Sequence, residues 1–321
     1  MPDVICLGEL LIDLVSTQED ASLAESPGFV KAPGGAPANV AVAVARMGAS
    51  AGFIGKVGND PFGEFLKSVI AAEGVDCSYL AFSDVARTTL AFIGVRSDGS
   101  KDIAFYRNPG ADMMLCPGDI DDEYIRGANA FHFGSISMID PDPKAATEKA
   151  AKLARDNGAL VSYDPNYRPA LWDTEAHARE EMLHGFELAD VAKVSEEEWE
   201  FVTGTTDFAA GATKILDKGV KLVVVSRGEN GCYYTNGHAS GELAGLKVKV
   251  AETIGAGDGF VGAMLVELLA AGVAVESLSQ DELVRILRLA NAAGALTCTQ
   301  VGAIPALPTR AEVEAFLQTI A

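Results

Sequence analysis

The chain has 321 residues, 49% of them hydrophobic and 22% charged, a balance that excludes a disordered or coiled-coil protein and allows a large buried core. Its 45 acidic residues against 25 basic ones give a net charge of −20, a field that repels a phosphodiester backbone and excludes nonspecific nucleic-acid binding. A small anion can still be received by local cations or by a helix N-terminus. Cys6, Cys77, Cys116, Cys232 and Cys298 are widely spaced with no CxxC, and His132, His177, His184 and His238 lack paired-ligand spacing. Neither a disulfide framework nor a structural zinc site is expected from that pattern. The N-terminal Met1-Pro2-Asp3-Val4 has no basic run of a signal peptide, and the longest apolar stretch, 261–275, is interrupted by Glu267. A cytoplasmic protein that neither spans nor binds a membrane is the expectation.

In chain order, residues 4–7 are an apolar run stopped by Gly8, the mark of a buried strand, and 10–17 continue as strand with Asp13 inside it. Residues 39–47 are Ala/Val-rich at helical spacing and end at Gly48; 52–57 read as strand and 62–73 as helix. The β-rich runs 88–96 and 102–107 flank Ser97-Asp98-Gly99-Ser100, a hairpin signal. Strands follow at 130–133, 160–163, 191–194, 222–226 and 232–235. Helices are expected at 144–157, 174–188, 196–203, 208–218, 257–272, 281–298 and 311–320. The alternation predicts one α/β domain over 1–321, a mainly parallel sheet with helices on both faces. The pieces at about 11–33 and 88–107 do not alternate with helices and are expected to form a small separate sheet.

Two glycine-bearing segments carry the chemistry. In Glu252-Thr253-Ile254-Gly255-Ala256-Gly257-Asp258-Gly259, a glycine-rich turn runs straight into a helix. Such a turn exposes backbone N–H groups to an anion, and the helix dipole adds partial positive charge. Asp258 is ill placed beside a phosphate held for its own sake. It is well placed as a general base next to a transferring phosphoryl group, although an acid in a first helical turn is also ordinary capping chemistry. Gly257, Gly259 and Gly262 fit GxGxxG, but residues 279–289 continue as helix where a dinucleotide fold needs a second strand. In Gly34-Gly35-Ala36-Pro37-Ala38-Asn39, the glycines permit close backbone approach and Asn39 can both donate and accept, which suits a polyhydroxylated ligand as well as a plain helix start.

Together these segments resemble the paired signatures of the ribokinase-like (PfkB) sugar kinases. The same resemblance runs through Gly8-Glu9-Leu10-Leu11-Ile12-Asp13, Phe105-Tyr106-Arg107-Asn108-Pro109, His132-Phe133-Gly134-Ser135 and Asp164-Pro165-Asn166-Tyr167-Arg168, and is strongest to fructokinases. It implies a doubly wound α/β domain with a β lid over the sugar, and transfer of the γ-phosphoryl group of MgATP to a terminal sugar hydroxyl, with D-fructose the expected acceptor. By resemblance, Asp258 is the base and Gly255, Ala256 and Gly257 the anion hole. Asp13, Gly34, Gly35, Asn39 and Phe92 are implied sugar contacts, with Arg107 and Arg168 facing the phosphoryl path. Lys193, Ser226, Gly228, Gly231 and Asn291 are implied nucleotide contacts, and Glu198, after Ser195 where the family often has Asn, an outer ligand of Mg²⁺. Glu252, longer than the usual Asp, stands at an implied monovalent-cation (K⁺) site. A homodimer through the lid, using Leu90, Phe92 and Ile93, is a further expectation. The alternatives are a kinase for a riboside or 2-keto-3-deoxygluconate, and a non-catalytic sugar sensor. An intact Asp258 argues against the sensor, because binding alone needs no base.

Overall fold

The β-branched and aromatic runs of the chain do become strands, and the computed structural model, which describes residues 1–97 and 101–320, arranges them in two sheets. The larger sheet takes β1 (Val4–Leu7), β4 (Ala51–Gly58), β5 (Asp76–Ser83), β8 (Ala130–Gly134), β9 (Leu160–Asp164), β10 (Val191–Ser195), β11 (Leu222–Ser226), β12 (Cys232–Thr235) and β13 (Ser240–Leu243). Their order is β13-β12-β11-β10-β9-β8-β1-β4-β5. Pairing is parallel from β11 through β5, and antiparallel where β12 and β13 close one edge. The smaller sheet, ordered β3-β2-β6-β7, consists of β2 (Leu11–Ser16), β3 (Phe29–Gly34), β6 (Leu90–Val95) and β7 (Lys101–Tyr106). β6 and β7 pair antiparallel as the hairpin signal predicts; the turn at 98–100 lies outside the described residues.

Side-chain alternation divides the large sheet into two cores. Val4, Cys6 and Phe53 point to one face, against α1 (Ala36–Arg46), α2 (Pro61–Ala72), α8 (Ala256–Ala271), α9 (Gln280–Thr297) and α10 (Arg310–Thr319). Ile5, Leu7 and Phe131 point to the other, against α3 (Asp122–Arg126), α4 (Pro141–Asp156), α5 (Glu175–Glu187), α6 (Glu196–Thr203) and α7 (Phe208–Leu216). Each fully buried Val, Leu, Ile or Phe contributes about 1.5–3 kcal/mol, so the β1 strand alone anchors both layers. α8 is buried along most of its length, and a side chain at Gly262 would drive into Ala43 of α1, so the two helices can approach only because that position is glycine. This close packing fixes the starts of α1 and α8 relative to each other. No helix among the described residues is long and apolar enough to cross a membrane.

β3 falls in the 11–33 piece expected in the small sheet, whereas β5, β13 and the short α3 are additional to the elements expected from periodicity. β13 (Ser-Gly-Glu-Leu) is short and half-exposed, and β5 opens on Asp76-Cys77-Ser78, so neither carries a clear apolar alternation.

Candidate active site

The carboxyl ends of the central strands, the starts of α1 and α8, and one face of the small sheet surround a cavity of about 610 Å³. α1 begins at Pro37 in its first turn, behind an N-cap glycine, Gly35, whose φ of 110° and contact with the Glu9 carbonyl leave no room for a side chain. α8 begins behind Gly255, which is left-handed (φ 80°) and packed on Ala303. Both glycines of the predicted segments are therefore required by backbone geometry, and both line the cavity.

The two helix starts deliver Asn39 and Asp258 to one point. Asn39 Nδ2 donates to Asp258 Oδ2 at 2.8 Å, across 219 residues of sequence. Both residues are buried, and Asn39 Oδ1 has no partner among the described residues. A buried acceptor left open costs stability unless a ligand donor reaches it. Burial pushes the Asp258 carboxyl up to about 6, with the Asn39 hydrogen bond opposing the shift. Among the described residues, the first-turn N–H groups of Gly257 and Asp258 have no acceptor, whereas Ala256 N–H is turned back to the Thr253 carbonyl at 3.3 Å. Lys193, buried on β10, donates to Asp164 Oδ2 at 2.9 Å and lies beside Gly257. Burial lowers the Lys193 pKa, but Asp164 and Glu198 outweigh it and leave the ammonium above its ordinary value.

On the opposite wall, Asp13 projects from β2, and burial raises its carboxyl to about 6 against the pull of Arg168 and Lys101. Arg168 lines the cavity; its Nη1 donates to the Tyr167 carbonyl at 3.1 Å, and with no carboxylate within ion-pair distance among the described residues its charge is open to a ligand. Glu9 also lines the cavity: Ala36 N–H donates to its Oε1 at 2.9 Å, and burial raises it to about 7. Glu9, Leu11 and Asp13 share one strand parity, as do Ala91 with Ile93, and Lys101 with Ile103 and Phe105; all of them line the cavity. Glu9, Lys101 and Asn166 escaped the sequence reading of site residues, although the i, i+4 relation of Glu9 to Asp13, an even spacing that keeps one strand face, carries the signal.

A second cavity, about 670 Å³, meets the first at Ser226, Gly228, Ala256 and Gly257. It is lined by Gly231 and Gly245, whose backbones touch where side chains would stand, and by Asn291, whose Nδ2 donates to Cys232 Sγ at 3.6 Å. The backbone-lined groove leads from the α8 start to the space between β12 and α9.

Four expectations are corrected. Phe92 has the opposite parity to Ala91 and Ile93: it packs between Phe29 and Tyr106 on the far face of the small sheet, away from the cavity. Leu90, Phe92 and Ile93 therefore do not form one face, and Ile93 is buried toward the cavity. Arg107 does not line the cavity: it is buried in an ion pair with Asp112 (2.6 Å) and reaches Asp140 at 3.4 Å. Gly34 is not part of the cavity lining; it stands beside Asp13 on the same face of the small sheet, where a side chain would collide with the Asp13 carboxylate.

The two acids expected near cations are already partnered. Glu198 Oε2 accepts from Ser195 N (2.9 Å) and Oγ (2.8 Å) in a capping box at the start of α6, and Oε1 accepts from Tyr167 N. Glu198 lines the cavity, and among the described residues no group of three His, Cys, Asp or Glu could hold a metal ion. A divalent ion carried by phosphates thus fits here with Glu198 bound to its water shell, not as an inner ligand. Glu252 Oε2 accepts from Gly302 N at 2.7 Å, and Oε1 lies 3.8 Å from the Lys101 ammonium. With both oxygens engaged, a monovalent cation beside Glu252 would have to displace the Lys101 ammonium.

The model of the pfkB family carbohydrate kinases matches residues 1–310. Fructokinase-1 of Zea mays is 46% identical over 313 residues, 97% of this chain and 96% of that protein. The crystal structure of the Xylella fastidiosa fructokinase with bound ATP superposes with a TM-score of 0.91 at 34% identity, covering 100% of this chain and 99% of that one. A double mutant of the Vibrio cholerae fructokinase, in its fructose, ADP and potassium ion bound form, gives 0.87 at 35% identity, covering 99% and 98%.

Proposed function

The chain belongs to the pfkB family of carbohydrate kinases, and from that premise we propose that it is an ATP-dependent fructokinase, transferring the γ-phosphoryl group to a terminal hydroxyl of D-fructose. The observation that carries the reading is the junction of the two cavities at the start of α8, where Asp258 is held by Asn39 beside unpaired first-turn amides. One cavity is lined by carboxylates and an open amide oxygen, suited to hydroxyls; the other is a backbone-lined groove suited to a nucleotide.

In this reading Asp13 and Asn39 hold the sugar hydroxyls, and Asp258 accepts the proton of the attacking hydroxyl. The new bond joins that oxygen to the γ-phosphorus, the bond from the γ-phosphorus to the bridging oxygen breaks, and ADP leaves with the electron pair. A carboxylate with a pKa near 6 is ionised at neutral pH yet basic enough to take the proton in the transition state. The amides of Gly257 and Asp258 face the transferring group, and Lys193 and Arg168 offset its charge. Mg²⁺ offsets charge on the ATP phosphates. Glu198, fixed by Ser195 and Tyr167, is the residue that would hold the ion, through its water shell. Leu11, Ile93, Ile103 and Phe105 give the sugar side an apolar wall, which supports exclusion of competing water.

The outer face of the small sheet carries Phe92 and the 67% exposed Tyr106, and β3 leaves the sheet with an open edge. Such a surface supports a homodimer formed through this sheet, which covers an open sheet edge. The free thiols fit a cytoplasmic protein.

A panel of sugars assayed by coupled ADP release tests the substrate. Fructose should give the highest kcat/KM. A riboside or 2-keto-3-deoxygluconate exceeding it by about tenfold, or 1.4 kcal/mol, would move the substrate assignment while leaving the kinase in place.

A further inference from the structure

Lys101 opens β7 with its side chain on the cavity face of the small sheet, the same face as Ile103 and Phe105. Its ammonium lies 3.8 Å from Glu252 Oε1. Glu252 belongs to the other wall: Gly302 N–H holds its second oxygen at 2.7 Å, and its own N–H donates to the Cys298 carbonyl at 3.3 Å. From there the chain runs through Thr253 and Ile254, both in the cavity wall, into Gly255 and α8. The Lys101 and Glu252 side chains are only 23% and 13% exposed, so the pair is shielded more than a surface pair. Burial pulls the Lys101 pKa down and Glu252 pulls it back up. Asp13 and Arg168 are the other charges that act on it, of opposite sign and on the cavity side.

We propose that Lys101 is a positioning residue for the acceptor sugar: by pairing with Glu252 across the cavity it holds the small sheet, and with it Asp13, at a fixed distance from the loop that enters α8. The inference deepens the kinase reading and rests on it for its link to turnover. Through β3 the small sheet runs into α1, which packs on α8; the Lys101–Glu252 pair is a second tie, across the cavity gap between β7 and the loop that enters α8. A charge pair spanning that gap sets how far Asp13 on β2 stands from Asp258 on α8, and so where the bound hydroxyl meets the base. Reactive positioning is sensitive to shifts of an ångström or less, so a modest tether has a kinetic effect. A direct contact between Lys101 and a sugar hydroxyl is the competing role, and it makes a different prediction for Glu252.

The test uses the full-length protein, with Lys101→Met, Glu252→Gln and the double variant. Each single change should raise the fructose KM about three- to fivefold, the scale of a partly shielded ion pair, with the ATP KM within about twofold of the parent. The double variant should be no worse than the poorer single one, because both singles remove the same contact. Hydrogen exchange without any ligand supplies an arm independent of turnover. The β7 amides should exchange faster in both single variants by a similar factor, with α4 and α9 unchanged as the control for folding. Additive effects, a Glu252→Gln variant with the parent's fructose KM, or unaltered β7 exchange would each overturn the proposal. A parent protein that responds to no sugar of the panel would defeat the kinase reading, and the exchange arm would still decide whether the pair holds the sheet.

Discussion

The two cavities that meet at Gly257 are built from different materials. The first draws on side chains: Glu9, Asp13, Lys101, Asp164, Arg168, Lys193 and Asp258 all line it, and burial shifts several of their charges. The second draws mainly on backbone and small residues, with Gly228, Gly231, Gly245 and Gly294 along it and Glu229 and Lys247 as its charged lining. A sugar presents hydroxyls that differ in direction, so its site needs individually placed acceptors and a base. A nucleotide presents a flat base and a string of phosphates, for which amide groups and shape suffice. The side-chain cavity should therefore break with single polar substitutions, while the backbone groove should yield little to them.

Asp258→Asn sharpens this contrast most. It keeps shape but cannot take a proton, so kcat should fall by about 10²- to 10⁴-fold with the fructose Kd nearly unchanged. The same carboxylate gives a pH signature: with its pKa at about 6, kcat/KM should drop as pH falls through 6 and the base becomes protonated. A profile flat from pH 5 to 8 would remove Asp258 from the role.

Next come Asp13→Ala and Asn39→Ala. Each loses hydrogen bonds involving charged or buried groups, worth about 1.5–3 kcal/mol, so fructose kcat/KM should fall by roughly 10- to 150-fold. Calorimetry should find ATP binding nearly intact in both. An equal loss of nucleotide binding would erase the division between the two cavities.

Glu9→Gln probes the cost of placing acids in the first cavity. Glu9 has a pKa raised by burial to about 7, above its unfolded value of 4.5. Its protonated form is the one the fold favours, so the stability it contributes is present below about pH 4.5 and lost as pH rises through 7. Glutamine keeps an acceptor for Ala36 N–H without ionising. The variant should therefore gain about 1–3 kcal/mol over the parent at pH 8 and little at pH 4.5 in denaturant unfolding. A gain independent of pH would point to packing instead.

The smallest effect is expected in the groove. Asn291→Ala removes one amide from a mainly backbone surface, so the ATP KM should rise only about two- to tenfold, the scale of one neutral hydrogen bond. A collapse of activity here would show that the groove, too, is built on side chains.

What the sequence disclosed follows the same division. The glycine segments at 34–39 and 252–259 were legible because positive φ and close approach demand glycine whatever lies far away in the chain. The parallel sheet was legible from alternating apolar runs. The orientation of strand residues was not: β6 reads apolar on both sides, and only the assembled sheet turns Ala91 and Ile93 inward and Phe92 outward. Arg107 was equally opaque: Asp112, its ion-pair partner, is near in sequence, but nothing local shows that the two pair, and its second partner, Asp140, belongs to a separate segment just before α4. Lys101 and Glu252 are 151 positions apart in sequence, and their charges say nothing until the small sheet faces the α8 loop.

The central claim is that one chain brings a sugar hydroxyl and the γ-phosphoryl group of ATP together at Asp258. It is tested most directly by following the phosphorus signals of MgATP with and without fructose. The account predicts that fructose sharply accelerates ATP loss, with ADP and a sugar monophosphate appearing in equal amounts and free phosphate remaining low. ATP turning to ADP and inorganic phosphate at the same rate with or without fructose would contradict it.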